Sequence, residues 1–149
     1  MKQIFKYIFS LFLFFSFTSA VASESNWSLG EESQVRLISQ KTHNDFKSEV
    51  LLGLEYKLQN GWKTYWLSPG EGGFPQEVSL TNSTNIHSFE VYWPTPEQFE
   101  ILDIKSLGYK DSVIFPLKIN LLDSSKSTSI IMDVNYLVCK DICIPGKAH

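Results

Sequence analysis

The sequence predicts an all-β protein, an antiparallel β-sandwich, on three observations. Apolar residues alternate with polar ones with a period of two in several segments, as expected for strands that are buried on one face. Turn-forming residues separate about seven such segments at short spacing, which is typical of a sandwich. Helical periodicity is weak throughout the chain, so the two predicted layers are both sheets.

The predicted strands follow one another along the chain. In residues 49–58 every second residue from Val50 to Leu58 is apolar, and Asn60-Gly61 then supplies a turn pair. The full set of predicted strands covers residues 35–39, 49–58, 62–66, 77–80, 86–93, 113–119 and 129–138. The aromatic residues Trp62, Trp66, Trp93 and Tyr136 are expected to form the core between the sheets.

Two segments contain residues that disfavour a regular central strand. Pro116 has no backbone N–H, so residues 113–119 are predicted to form an edge strand or to contain a bulge. Residues 68–75 (SPGEGGFP) contain three glycines and two prolines and are predicted to be irregular. Residues 81–85 and 123–128 are polar and are predicted to form turns.

The N-terminal segment predicts export. Residues 7–17 are mainly apolar, two lysines (Lys2 and Lys6) precede them, and a small-x-small cleavage motif follows at residues 20–22. A basic region, a short apolar region and an A-x-A motif together describe a secretory signal peptide. We therefore expect residues 1–22 to be removed and residues 23–149 to form one domain.

The charge of the chain argues against nucleic-acid binding. Lys and Arg number 13 against 16 Asp and Glu, and without Lys2 and Lys6 the remaining chain has a formal charge of −5. Proteins that bind nucleic acids carry clusters of basic residues that neutralise phosphates. The sequence contains no basic run, so we expect no nucleic-acid partner.

The two cysteines, Cys139 and Cys143, are the clearest candidates for chemistry. In an exported protein they are expected to form a disulfide, which can be structural. A ring of five residues, however, gains only about 2 kcal/mol from chain entropy, less than a bridge between distant strands. Two thiols this close can instead resolve a mixed disulfide rapidly, as thiol–disulfide exchange requires. Lys140 favours a thiolate and Asp141 opposes it, so the two charges give no net direction for the thiol pKa. Both interpretations, a structural disulfide and an exchanging pair, remain open.

Other chemistries have weaker support. A tetrahedral zinc site needs four ligands, and His43, His87 and His149 are not spaced as a paired motif with the cysteines. No hydrolase or phosphate-loop motif is present. Glu97 and Glu100 could form a carboxylate pair, but acidic residues near a turn are usually solvated.

Five segments in order carry a resemblance to a known family. They are GWKTYW (residues 61–66), PGEGGFP (69–75), WPTPEQF (93–99), GY (108–109) and VCKDICIP (138–145). Together they resemble the N-terminal periplasmic domain of DsbD-type thiol:disulfide interchange proteins. The resemblance is closer to the branch with a C-x-x-x-C-x-P signature, which includes ScsB-like copper-tolerance reductases, and it covers roughly residues 27–149.

The resemblance implies a fold, a reaction and site residues. The fold is an immunoglobulin-like β-sandwich, and the reaction is the cycling of Cys139 and Cys143 between dithiol and disulfide. By analogy with the family, Cys143 forms the mixed disulfide with a partner and Cys139 resolves it. Phe99 matches the phenylalanine of the family's cap loop, which shields the cysteines from stray oxidants, and Glu97 is its acidic neighbour.

The resemblance also implies partners and location. Electrons arrive from a transmembrane domain through a thioredoxin-like domain and pass to disulfide isomerases or other thioredoxin-fold proteins in the periplasm, without a cofactor. Family members usually continue into a last strand and a membrane domain, so a chain that ends at His149 is expected to be either a fragment of a longer protein or a stand-alone shuttle without its electron source. Two alternatives remain: a non-catalytic immunoglobulin-like binding domain with an inert disulfide, and copper handling through thiolates.

Overall fold

The computed structural model describes residues 23–39, 48–101 and 103–149. The predicted signal peptide and His43 lie outside these residues. The described residues form strands, turns and loops without a helix, so they include no helix that could cross a membrane.

Within the described residues, six strands form the first sheet, in the order β1-β3-β4-β10-β7 with β2 also paired to β3. These strands are β1 (Ser23–Glu24), β2 (Ser28–Leu29), β3 (Ser33–Ser39), β4 (Glu49–Leu58), β7 (Ile86–Val91) and β10 (Ser112–Leu121). All their pairings are antiparallel, and the longest joins β4 to β10, from Lys57 opposite Ser112 to Glu49 opposite Asn120.

Six further strands of the described chain form the second sheet, in the order β12-β11-β5-β9-β8 with β6 also paired to β11. They are β5 (Lys63–Gly70), β6 (Glu77–Leu80), β8 (Glu97–Ile101), β9 (Ile104–Lys110), β11 (Met132–Cys139) and β12 (Cys143–Ala148). Strands β11 and β12 form a hairpin at one edge, and β8 and β9 form a hairpin at the other.

The two sheets pack face to face around one apolar core, as predicted for a β-sandwich. In β10 alternate residues are buried, and in β4 the face from Leu52 to Leu58 packs on the same core. We call the buried residues between the sheets the inner core; they are Val35, Leu54, Tyr56, Trp62, Tyr109, Val113, Phe115, Leu117, Met132, Val134, Tyr136, Val138 and Ala148. Trp66 and Trp93 are partly buried against it.

The prediction of an edge strand or bulge at Pro116 is wrong. Strand β10 lies between β4 and β7, and its irregularity falls at Asn120 and Leu121. Proline is tolerated because β7 ends at Val91. The carbonyl of Pro116 accepts a hydrogen bond from the N–H of Tyr92 at 2.8 Å, one residue after the end of β7. Pro116 therefore lies where the hydrogen bonds between β10 and β7 stop, and the N–H that proline lacks is not needed for them.

The glycine- and proline-rich segment is only partly irregular. Strand β5 continues to Gly70, which pairs with Ser106 after a shift in register beyond Tyr65. The prolines and glycines are accommodated by that irregularity, and residues 71–76 then form a loop. Strands β1, β2, β8, β9 and β12 were not among the predicted strands. The resemblance implied a last strand beyond residue 149. The structure has a strand after the cysteines within the chain, β12.

Candidate active site

The two cysteines close the hairpin between β11 and β12 by a disulfide bond. Cys139 is the last residue of β11, Cys143 is the first of β12, and the two lie directly opposite each other with their Cα atoms 4.1 Å apart. The N–H of Lys140 donates a hydrogen bond to the carbonyl of Ile142 at 2.9 Å, which closes the turn between them. The strand register therefore brings the two sulfur atoms together.

The two sulfur-bearing residues differ in their access to solvent. Cys139 is 0% exposed, whereas Cys143 is exposed at the start of an edge strand. Ile142, in the turn beside Cys143, is 61% exposed. Of the two residues, only Cys143, at the tip of the hairpin, is exposed to solvent.

The disulfide lies on the outer face of the second sheet, away from the inner core. Successive residues of a strand point to opposite faces, so Tyr136 and Val138 face the inner core while Leu137 and Cys139 face outward. A second buried group surrounds the disulfide on that face. We call it the outer cluster; its members are Tyr65, Phe99, Ile101, Leu137 and Cys139.

Tyr65 contacts both sulfur atoms from the neighbouring strand β5. Its hydroxyl donates a hydrogen bond to Sγ of Cys139 at 3.0 Å and lies 4.0 Å from Sγ of Cys143. The side chain is 2% exposed, and this burial raises the pKa of Tyr65 above its ordinary value. The phenol therefore keeps its proton at neutral pH and can donate it to sulfur.

Phe99 covers Tyr65 from the β8–β9 hairpin. The two ring centroids are 5.9 Å apart, and Phe99 is 6% exposed. A Cβ atom on Gly108 would lie 3.0 Å from the Phe99 ring and 2.0 Å from the carbonyl oxygen of Thr64. Only glycine therefore allows β9 to pass this close beneath the ring.

The loop of residues 71–76 covers Tyr65 from another side. Gly73 has a φ of +86°, and a Cβ atom there would lie 2.2 Å from the Tyr65 ring. Glycine is required both by this backbone conformation and by the close contact. The motif PGEGGFP thus brings a bare backbone against the tyrosine that bonds to Cys139.

The structure brings together three of the four candidate site residues. Phe99 lies with Cys139 in the outer cluster, and Cys143 is bonded to Cys139. Phe99 is in strand β8, whereas the resemblance places it on a cap loop. Glu97 lies two residues before Phe99 on the same face of β8, but it is exposed, and its carboxylate pairs with the ammonium of Lys110 at 3.0 Å.

Sequence reasoning did not single out Tyr65, Gly73 or Gly108. Tyr65 follows Thr64 in β5, so the two side chains point to opposite faces of the sheet. Because Thr64 faces the core, the alternation predicts that Tyr65 is exposed. The motifs GWKTYW, PGEGGFP and GY contain all three residues, so the signal was present. Its meaning depends on packing between segments that are far apart in the sequence.

The other candidate sites are not assembled. Glu97 and Glu100 are three residues apart in one strand and so point to opposite faces. His149 bonds to Asp133 at 2.6 Å, far along β11 from Cys139. In the described part of the chain, no three His, Cys, Asp or Glu residues are grouped as metal ligands.

Comparison with known proteins identifies a family and a similar solved structure. The family profile for the N-terminal part of the thiol:disulfide interchange protein DsbD matches residues 34–149. The crystal structure of the N-terminal periplasmic domain of ScsB from Proteus mirabilis is similar, with a TM-score of 0.68 and 30% sequence identity. The match covers 85% of this chain and 49% of the ScsB chain, so this chain spans about half the length of the ScsB chain. No curated protein sequence matches.

Proposed function

The chain belongs to the family of the N-terminal domain of the thiol:disulfide interchange protein DsbD, and from that premise we propose that its cysteine pair reduces oxidised thioredoxin-fold proteins. Family membership and the disulfide between Cys139 and Cys143 make it a thiol–disulfide exchange module. The direction of electron flow and the partner class are the proposal. The observation that carries it is the position of the disulfide, at an exposed hairpin tip and outside the inner core.

The proposed reaction starts from the dithiol. The Cys143 thiolate attacks one sulfur of the partner's disulfide, whose S–S bond breaks and releases a partner thiolate. The Cys139 thiolate then attacks Sγ of Cys143, which forms the intramolecular disulfide and releases the second partner thiolate. Two electrons and two protons pass to the partner, and a thiol donor must then reduce Cys139 and Cys143 again.

The burial of the two cysteines supports these separate roles. An attacking sulfur must approach the partner's disulfide in line, which suits the exposed Cys143. The buried Cys139 needs to reach only Cys143, which lies directly opposite in the hairpin. Cys143 is therefore assigned to the partner and Cys139 to resolution.

Phe99 is assigned to shielding. It covers the ring of Tyr65, whose hydroxyl bonds to Cys139, and so limits the approach of small oxidants to the buried sulfur. Glu97 has no contact in the structure that supports the same role. Its ion pair with Lys110 instead supports a role in holding β8 against β9.

The setting of the module is also part of the proposal. Residues 1–22 act as a signal peptide, the mature domain starts at Ser23, and the module works in the periplasm. The similarity to a periplasmic domain of ScsB supports that location. The electron donor is a thioredoxin-like domain, which receives its electrons from the transmembrane domain of a longer parent protein.

A trapping experiment tests the reaction and the roles together. Cys139→Ala, mixed with an oxidised thioredoxin-fold protein, is expected to accumulate a heterodimer that dithiothreitol cleaves, because the resolving thiol is absent. Cys143→Ala is the matched control and is expected to accumulate far less, because its remaining thiol is buried. Equal trapping by both variants would overturn the role assignment.

The same experiment decides against the alternative, an inert structural disulfide in a binding domain. If neither variant traps a partner and both melt well below the wild type, the bridge is structural. The reduction potential gives an independent measure. A shuttling pair is expected near about −200 mV, whereas a structural bridge lies below about −300 mV.

A further inference from the structure

Lys63 is the residue directly opposite Cys139 on the neighbouring strand β5. Residues opposite each other in an antiparallel pair have Cβ atoms about 4.5–5.5 Å apart and point to the same face. Lys63 therefore shares the outer face with Cys139. Because β5 contributes Tyr65 two residues later, both side chains of this strand that flank the disulfide point outward.

Two contacts hold the ammonium of Lys63 near the outer cluster. It donates a hydrogen bond to the carbonyl of Gly61 at 3.1 Å, and it lies 5.8 Å from the centroid of the Phe99 ring. Neither group carries a negative charge that would neutralise it. Lys63 has no carboxylate partner among the described ion pairs, so its positive charge is not neutralised there.

We propose that Lys63 is a positioning residue for the reduced pair, whose charge stabilises the thiolate of Cys139 and so speeds its attack on the mixed disulfide at Cys143. The inference rests on the proposed function. Burial in an apolar cluster by itself favours the neutral thiol, which is a poor nucleophile. A nearby ammonium offsets that effect without exposing the sulfur to solvent.

The remaining charged and titratable groups on β5 and on the hairpin act less specifically. The hydroxyl of Tyr65 donates to Sγ and adds a neutral dipole. Lys140 directs its ammonium to the carbonyl of Asn60, at 3.4 Å. Asp141 is exposed in the turn, where water screens its charge.

The groups on β8 and β9 cancel each other. Glu97 and Lys110 form an ion pair, so together they add little net charge beside Phe99. Among the charges without a carboxylate partner, Lys63 is the one that the strand register places directly opposite Cys139. Lys110 lies opposite Lys63 on its other side, where Glu97 neutralises it.

The test titrates a single thiol. In a Cys143→Ala background, the pH dependence of alkylation reports the pKa of the Cys139 thiol without any partner protein. Lys63→Met retains the apolar stem against Phe99 and removes the charge. We expect it to raise the thiol pKa by about 1 unit, the lower end of the effect of about 1–3 units that an opposite charge within about 4–6 Å has on a pKa. Lys63→Arg is expected to keep the wild-type value.

The controls separate charge from structure. Lys147→Gln removes one positive charge from β12, about 13 Å along the strand from Cys143, and is expected to leave the thiol pKa unchanged. Lys63→Gln is a second charge-removing variant in case Lys63→Met does not fold. In protein with both cysteines, removing the charge of Lys63 should slow the release of a bound partner roughly threefold. A higher pKa makes the Cys139 thiolate more nucleophilic, but the smaller fraction of thiolate outweighs that gain.

Each outcome bears on the inference. An unchanged thiol pKa in folded Lys63→Met or Lys63→Gln overturns it, as does an equal shift in Lys147→Gln. The trapping experiment on Cys139→Ala does not involve the Cys139 thiol. If Cys139→Ala traps no partner but Lys63→Met shifts the pKa of the Cys139 thiol, the proposed function is rejected and the effect of the charge on the thiol still stands.

Discussion

The inner core and the outer cluster lie on opposite faces of the second sheet, and both are built around buried aromatic rings. In the inner core Tyr56 contacts Phe115 and Tyr136 edge to face, at 5.4 and 5.3 Å between centroids, and the whole first sheet covers it. In the outer cluster Tyr65 is covered by Phe99 and by the bare backbone at Gly73. The covering elements there are a hairpin at the sheet edge and a loop.

This difference separates stability from reactivity. The packing of the two sheets against each other around the inner core contributes most of the apolar burial that drives folding. An edge hairpin and a loop can open locally at a smaller free-energy cost than the sandwich itself. Sulfur chemistry on the outer face can therefore proceed while the inner core stays packed.

The largest expected difference is between two phenylalanine truncations. Phe115→Ala should lower the free energy of unfolding by about 3–5 kcal/mol, because it leaves a cavity between two sheets. Phe99→Ala should cost about 1–2 kcal/mol, because the edge hairpin can settle into the gap, and it should speed oxidation of the reduced protein. Urea unfolding and the rate of thiol loss in peroxide measure the two effects.

Phe115→Ala serves as the control for oxidation. Measured where both variants are folded, it should leave the oxidation rate close to that of the wild type. A loss of about 3–5 kcal/mol in Phe99→Ala, with no faster oxidation, would make Phe99 a core residue and remove its shielding role.

The next largest difference is between two glycines with similar backbones. Gly61 and Gly73 have φ values of +84° and +86°, so alanine is strained at both, by about 1–2 kcal/mol. At Gly61 the new Cβ atom meets only the flexible end of Lys140, whereas at Gly73 it meets the ring of Tyr65. Gly73→Ala should therefore cost about 1–2 kcal/mol more in thermal unfolding than Gly61→Ala. Equal losses would contradict the packing of this loop on Tyr65.

The inner core was the part of the structure that the sequence predicted well. In β4 and β10 the period-two pattern is long and one face is buried against a second sheet, so pattern and burial agree. The C-x-x-x-C spacing likewise indicated the disulfide, because its partners are close in the chain.

The outer cluster could not be predicted in the same way. Its members come from β5, β8 and β11, which are far apart in the sequence, and the pattern of no single strand shows that these side chains meet. The β8–β9 hairpin was missed because Gly108 and the buried Ser106 interrupt the alternation, and Asp103 turns the chain at a φ of +64° without an Asn-Gly pair. The resemblance located Phe99 but not the tyrosine beneath it.

A smaller effect is expected at alkaline pH, and it comes chiefly from the inner core. Burial raises the pKa of Tyr56 well above its ordinary value, while in the unfolded chain the phenol titrates near about 10. The unfolded state therefore releases a proton that the folded state keeps, so stability is complete below pH ~10 and falls as the pH rises above it. The limiting slope is about 1.4 kcal/mol per pH unit for one tyrosine.

Tyr56→Phe checks that assignment. It should flatten the fall in the urea midpoint between about pH 10 and 11, compared with the wild type. At neutral pH it should cost little, because the buried hydroxyl has no hydrogen-bond partner among the described residues. An unchanged alkaline slope would assign the loss to other groups.

The smallest expected effect is the most specific one, that of removing the hydroxyl of Tyr65. Tyr65→Phe keeps the ring against Phe99 and should change the free energy of unfolding by less than about 1 kcal/mol. It removes the donor to Sγ of Cys139, and a hydrogen bond to a thiolate is stronger than one to a disulfide sulfur. The reduced form should lose more stabilisation than the oxidised form, so the equilibrium with glutathione should shift roughly threefold toward the disulfide. Tyr56→Phe removes a hydroxyl of the inner core and should leave that equilibrium unchanged. An equal shift in both variants would mean that the two regions are not independent, whereas a shift in Tyr65→Phe alone would assign the redox balance to the outer cluster.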